Sequence, residues 1–197
     1  MEREALMVEK LLDERVIAAC QRGDREAFRL LFETYQDRVF SIALYSLGGD
    51  ETLAKDVAQQ VFLKLMTSIK QFRREAEFST WLYRLVVNAC MDEHRKRRRY
   101  FPFADFQRMD ERAGRRDAEA VYARAEISVA VRDAIMRLKP KLRMPILLKY
   151  VEGLSYEEIA EVLSCSTGTV ASRLNRGHKA LARKLAHFRN VNFEGES

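Results

Sequence analysis

Glycine and proline are scarce in this 197-residue chain, with 8 and 3 copies. Strand-rich folds need many turns, and turns need those residues, so the shortage argues for long helices. The three cysteines, Cys20, Cys90 and Cys165, lie far apart and form no CxxC pair. That argues against a disulfide framework and points to a reducing, cytoplasmic compartment. No uninterrupted apolar run approaches the roughly 20 residues that cross a bilayer. The first ten residues mix acids with bases and lack the apolar centre of a signal peptide, so no membrane insertion is expected. Histidine is rare too. His94, His178 and His187 sit on or near basic helix ends, where solvated or phosphate-facing roles are expected, and no HxxxH or HxE…CxxC spacing occurs. With neither metal ligands nor a carboxylate cluster, an enzyme acting on nucleic acid is disfavoured and no cofactor is expected.

What the chain does have is charge and helical periodicity. Hydrophobic residues make up 47%, enough for a core, and charged residues 32%; the net charge of +6 suits a polyanionic partner without proving one. Val16, Ala19 and Cys20 form a short stripe, followed by Gly23-Asp24, a stop and then an N-cap. The next helix carries Ala27, Phe28, Leu31, Phe32, Tyr35, Val39, Ile42 and Ala43, and Gly48-Gly49-Asp50 ends it and caps another. Leu53, Val57, Val61 and Leu65 then recur at steps of four. A charged loop, Phe72 to Phe78, precedes a helix that Ser79 can cap; its apolar residues run into Arg95-Lys96-Arg97-Arg98-Arg99. Between Tyr100 and Glu126 the periodicity fails, as in a linker. Order returns with Val131, Ile135 and Leu138. Pro145 is placed at the first turn of the next helix, and Gly153 terminates it. The expectation is an all-α chain of two small helical domains, residues 11–99 and 127–189, joined by a flexible linker at 100–126.

The strongest local signal is Ser155 to Arg176. Ser155-Tyr156-Glu157-Glu158 is a capping box, and a short capped helix, a tight turn and a longer basic helix are the parts of a helix-turn-helix. On the last helix, expected from Thr167 to Phe188, Val170, Leu174, Gly177, Leu181 and Leu185 face inward. Thr167, Ala171, Ser172, Asn175 and Arg176 lie opposite, and no acid occurs from Thr167 through Asn190. Short polar side chains near the helix start suit base edges, and cations further on suit phosphates. A helical hairpin with a solvated basic face is the plainer alternative. The second signal is Phe78 to Arg99. Trp81 and Tyr83 beside a basic track suit bases pulled from a duplex, but Trp81 could equally be core and the cations a helix end favoured by the macrodipole.

In three places the chain resembles the extracytoplasmic-function, or group IV, sigma factors of bacteria. Asp56-Val57-Ala58-Gln59-Gln60-Val61-Phe62 resembles the helix that docks on the polymerase clamp. Phe78-Ser79-Thr80-Trp81-Leu82-Tyr83-Arg84-Leu85-Val86-Val87-Asn88 resembles the segment that melts and reads the -10 element. Tyr150 to Ala160, with Gly168-Thr169-Val170-Ala171-Ser172-Arg173-Leu174, resembles the -35 reading module. The resemblance implies a sigma-2 type bundle and a sigma-4 type helix-turn-helix domain. It implies that Asp56, Gln59, Gln60 and Phe62 contact or shape the interface with core RNA polymerase (beta and beta-prime subunits). Phe78, Trp81, Arg84, Asn88 and Arg95 would serve the -10 strand, with the loop from Arg73 lining a pocket for a flipped base. Thr167, Thr169, Ala171, Ser172, Arg173, Asn175 and Arg176 would serve the -35 duplex of promoter DNA. It also implies control by an anti-sigma factor, membrane-anchored or metal-sensing, that can hold the chain at the inner membrane. Four positions depart from the usual pattern: Gln60 replaces an acid, Ala171 a cation, Ser164 a turn glycine and Gly177 an alanine. The linker is also more basic than the family's usual acidic one. The alternative is an autonomous helix-turn-helix regulator that binds a two-fold symmetric site alone.

Overall fold

Two Gly-Asp pairs set the beginning of the chain. Gly23 and Gly49 take left-handed φ of 91° and 88°, a region glycine enters without steric cost. The aspartate that follows each caps a helix. Asp24 Oδ1 accepts from the amides of Glu26 and Ala27 at 2.9 and 3.1 Å, and Asp50 Oδ1 accepts from Leu53 at 3.0 Å. Each such cap contributes about 1 kcal/mol. The computed structural model describes residues 14–100, without the Tyr100 side chain, and 129–186. Within them are α1 (residues 14–21), α2 (Arg25–Ser46), α3 (Glu51–Ser68), α4 (Phe78–Tyr100), α5 (residues 129–136), α6 (Pro140–Tyr150), α7 (Tyr156–Val162) and α8 (Thr167–Lys184). No strand occurs among the described residues, so the all-α, two-module expectation holds. The expected linker lies almost wholly outside the described residues, as do 11–13 and 187–189.

The N-terminal core is built mostly from the expected stripes, with Cys90 added on α4 and Trp81, Leu85 and Ala89 only half-buried. Val39, Ile42 and Ala43 of α2, Val57, Val61 and Leu65 of α3, and Leu82, Val86 and Cys90 of α4 are all buried. Full burial of each branched side chain is worth about 1.5–3 kcal/mol. One boundary differs from expectation. Ser79 is not the cap of α4, because the helix already begins at Phe78 and the Trp81 amide bonds Glu77 O at 3.1 Å. Phe78 turns inward against Tyr35 and Phe72, with ring centroids 5.5 Å from each, and this draws the helix start back by a residue. At the far end Arg97 Nη2 reaches Asp50 Oδ2 at 2.8 Å, joining α4 to the cap of α3.

In the C-terminal module Pro140, not Pro145, opens α6; Pro145 lies inside that helix and is buried. Starting at Pro140 stabilises the first turn, where a missing N–H costs nothing. The capping box forms as expected: the Ser155 amide donates to Glu158 Oε2 at 2.7 Å and the Glu158 amide to Ser155 Oγ at 3.2 Å. The turn into α8 passes through Ser164 at φ 48°, the left-handed conformation for which a glycine would be the unstrained choice. Gly177 lies where α8 crosses α6; an added Cβ there would meet Ile146 Cγ1 at 3.1 Å. α8 ends at Lys184, with Leu185 as its C-cap; the expected end at Phe188 lies outside the described residues.

The two modules touch. α4 packs on α7, and α2 on α6, so residues of both contribute to one buried cluster that includes Val87, Leu154 and Ile159.

Candidate nucleic-acid interface

α8 divides into a buried and an open side much as its spacing predicts. Val170, Leu174 and Gly177 are buried, whereas Thr167, Ala171, Ser172, Asn175 and Arg176 are exposed and Thr169 and Arg173 half-buried. Some of these side chains are already oriented. Thr169 Oγ1 lies 2.9 Å from the capping Ser166 Oγ, and Arg176 Nη2 donates to Ser172 Oγ at 2.9 Å. Arg173 Nη1 turns back to Cys165 Sγ at 3.8 Å. The hydroxyls and Asn175 are short enough to meet base edges, and Arg176, Lys179 and Arg183 follow along the exposed side.

On α4 the expected residues divide. Asn88 and Arg95 are exposed and Trp81 is half-buried, its ring 5.3 Å from Phe72 and 5.9 Å from Phe78. Trp81 therefore packs partly on the core and leaves the rest of its surface open. Phe78 is 5% exposed, so it supports the loop from below and has no free face for a base. Arg84 donates to Glu161 O from Nε and Nη2 at 3.2 and 3.0 Å, so α7 occupies it. A groove of about 440 Å³ lies between α3 and α4, lined by Gln60, Lys64, Leu85, Asp92, Arg95 and Arg99. Its cations and apolar floor suit a nucleotide strand.

On α3, Asp56, Gln59 and Gln60 are exposed, but Phe62 is 7% exposed with its ring 4.7 Å edge-on to Phe32. Phe62 shapes this surface from within. Leu63 and Met66 remain open beside it.

Two side chains contradict the sequence reading. Tyr83 is 2% exposed and its hydroxyl donates to Glu152 Oε2 at 2.6 Å, so it cannot stack on a base. His94 is half-buried, with Nε2 3.0 Å from Ser46 O, so its ring is engaged by the end of α2 instead of standing free. In both cases the burying surface comes from an element distant in sequence. Arg143, missed from sequence, is buried between the modules; a cation between Leu142 and Met144 was its one signal. Among the described residues no group of His, Cys, Asp and Glu could hold a metal ion, and no helix is long and apolar enough to cross a membrane.

Residues 31–100 match Sigma-70 region 2, and residues 128–181 match Sigma-70, region 4. Over 187 residues the chain is 34% identical to the ECF RNA polymerase sigma-E factor of Haemophilus influenzae, covering 91% of this chain and 98% of that one. The chain belongs to the extracytoplasmic-function sigma factors. As such it binds core RNA polymerase and directs transcription initiation at promoters. Solved structures agree on the fold. CnrH, in complex with the cytosolic domain of CnrY, is 26% identical with a TM-score of 0.65, over 89% of this chain and 98% of that one. The sigma factor RpoE of Bartonella quintana, in complex with the anti-sigma factor NepR, is 23% identical with a TM-score of 0.63, over 82% and 98%.

Proposed function

We propose that this sigma factor divides promoter reading between its modules, residues 11–99 and 127–189, with 100–126 as the connecting linker. Asp56, Gln59 and Gln60 dock on core polymerase over a surface that Phe62 shapes from beneath. Trp81, Asn88 and Arg95 hold the melted -10 strand, Arg84 joins them once released from α7, and Phe78 fixes the loop that frames a flipped base. Thr167, Thr169, Ala171, Ser172, Arg173, Asn175 and Arg176 present the -35 surface. At Ala171, Ser172 and Asn175 the contacts are short-range, and at Arg173 and Arg176 they reach bases or phosphates. The chain catalyses no reaction itself and acts by positioning the polymerase.

One observation carries this reading: the polar edge of α8 is exposed over Thr167 to Lys184 without a single acid, while α4 offers a separate basic groove. One surface fits a duplex and the other a single strand. An anti-sigma factor, membrane-anchored or metal-sensing, controls the chain by covering both surfaces and can hold this cytoplasmic protein at the inner membrane. The complex of the Bartonella quintana sigma factor with NepR lends support to such a partner. Transcription by core polymerase with this chain on a genomic library tests the proposal, with run-off products expected from a shared promoter pattern. Promoter-independent products alone, or binding of the free chain to a two-fold symmetric site, would favour the autonomous regulator.

A further inference from the structure

α1 holds the loop that leads into α4. Between the short 3-10 turn Ile69–Gln71 and Phe78 the chain runs through 72–77 without regular structure, so its backbone polar groups need partners from elsewhere. Beneath it the rings of Phe72, Phe78 and Trp81 pack together, with centroids 5.5, 5.3 and 5.9 Å apart. Apolar packing is non-directional, so it fixes the depth of a loop better than its placement. Direction comes from Gln21, the last residue of α1, which lies 48 and 51 positions from its partners. Its Nε2 donates to Ile69 O at 3.0 Å and to Phe72 O at 2.9 Å. Both partners are acceptors, so the amide can face them only with its nitrogen. Arg74 adds a weaker tie: at a left-handed φ of 60° its Nη2 reaches Glu14 O at 3.4 Å. Gln21 is itself held. Ile17 and Cys20 anchor α1 in the core, and the Gly23 amide closes on Cys20 O at 2.9 Å.

We propose that Gln21 is a positioning residue for promoter opening: by holding Ile69 O and Phe72 O it places the loop Arg73 to Phe78, so that α1 sets the base preference of the -10 surface. The proposal rests on the reading that this loop frames a flipped base. Three observations carry it. The bonds grip the last carbonyls before Arg73, Arg74 and Glu75, which are all exposed. Phe72, whose carbonyl is held, is also a ring that lies against Trp81, so loop and tryptophan are placed together. The contact is half-buried, where water competes less for the two carbonyls. A pocket for one base needs its walls placed within about 0.5 Å, and a loop free to shift is competent for only part of the time. Losing one net hydrogen bond moves such an equilibrium about fivefold. That is enough to blur a base preference and too little to unfold a module whose core is otherwise intact.

The test uses the full chain with core polymerase on a promoter that the wild-type chain transcribes. Run-off transcription is measured with each of the four bases at every melted position and, separately, with substitutions in the upstream duplex. Gln21→Met keeps the length of the side chain and removes both donors, Gln21→Glu sets acceptors against two carbonyls, and Gln21→Lys keeps donors alone. The first two are expected to lower discrimination at the flipped base about five- to tenfold and to leave upstream discrimination as in the wild type; Gln21→Lys is expected to restore it. Trp81 is the single tryptophan of the chain, so acrylamide quenching of its fluorescence in the free chain reports on the loop. Quenching should rise in Gln21→Met and Gln21→Glu and stay near wild type in Gln21→Lys. Circular dichroism checks folding; if Gln21→Met does not fold, Gln21→Asn, with its donors drawn back by one methylene, decides. The assignment to Gln21 is overturned by folded variants that keep wild-type discrimination, by loss of melted-strand and upstream discrimination together, or by a Gln21→Lys chain no better than Gln21→Met. A wild-type chain with no base preference in the melted strand overturns the loop reading as well, so the two failures are distinguishable.

Discussion

The Tyr83 hydroxyl lies 2.6 Å from Glu152 Oε2 and ties α4 to the loop before α7. Burial first, and Glu152 second, push the phenol well above its ordinary value of 10.0. In the unfolded chain the phenol releases its proton near pH 10, whereas the folded one keeps it. Stability from this group is therefore present below pH 10 and lost as pH rises toward the folded value. In a spectrophotometric titration Tyr83→Phe should leave the amplitude of the ordinary tyrosine transition unchanged. It should also cost about 1 kcal/mol in urea unfolding.

His94 gives a second pH dependence of opposite sense. Burial, and then the neighbouring Arg143, hold its imidazole below the usual 6.5; Arg97 acts the same way, while Ser46 O and Glu93 oppose them. As pH falls below 6.5 the unfolded histidine takes up a proton before the folded one does. Stability should then decline through the window between 6.5 and the lowered folded value, by up to about 1.4 kcal/mol per pH unit. His94→Gln retains a donor for Ser46 O and should flatten that decline in urea midpoints compared at pH 7.5 and about 5.5.

Gly177→Ala tests the crossing of α8 over α6. Alanine gains about 0.8–1 kcal/mol of helix propensity, but its Cβ would press on Ile146 at 3.1 Å, and overpacking costs about 1–3 kcal/mol. A net loss of about 1 kcal/mol is expected. Ile146→Val should recover part of it, and a double-mutant cycle by thermal unfolding should give a coupling of about 0.5 kcal/mol or more.

Arg176→Ala should weaken holoenzyme binding to promoter duplex by about 1–3 kcal/mol, as for loss of a bidentate base contact. Asn88→Ala should leave duplex binding near wild type and slow strand opening, measured by permanganate reactivity of the melted bases.

Local chemistry was legible in the sequence. The Gly-Asp pairs and the Ser155 to Glu158 box specify their own turns and caps through bonds within a few residues, and the inward stripes follow from helical spacing. Ser79 and Pro145 misled because two candidates for a helix start stood close together, and inward packing of Phe78 and the fixed φ of Pro140 decided between them. Tyr83, His94 and Arg143 could not be placed, since their surroundings are supplied by residues 48 to 98 positions away. Periodicity describes the faces of one helix and says nothing of a second module that covers the polar one.

The bond between Arg97 and Asp50 changes what the basic end of α4 can offer to a strand. Lys96 also lies 3.6 Å from Glu93, and Arg95 3.3 Å from Asp92. A run of five positive charges is thus partly neutralised in place, and Arg97, with 24% of its side chain exposed, has become a structural strut. Single-stranded DNA laid along α4 should displace fewer counterions than five. The logarithmic salt dependence contributed by this segment should be shallower than the roughly 0.7 per phosphate that five free cations would give.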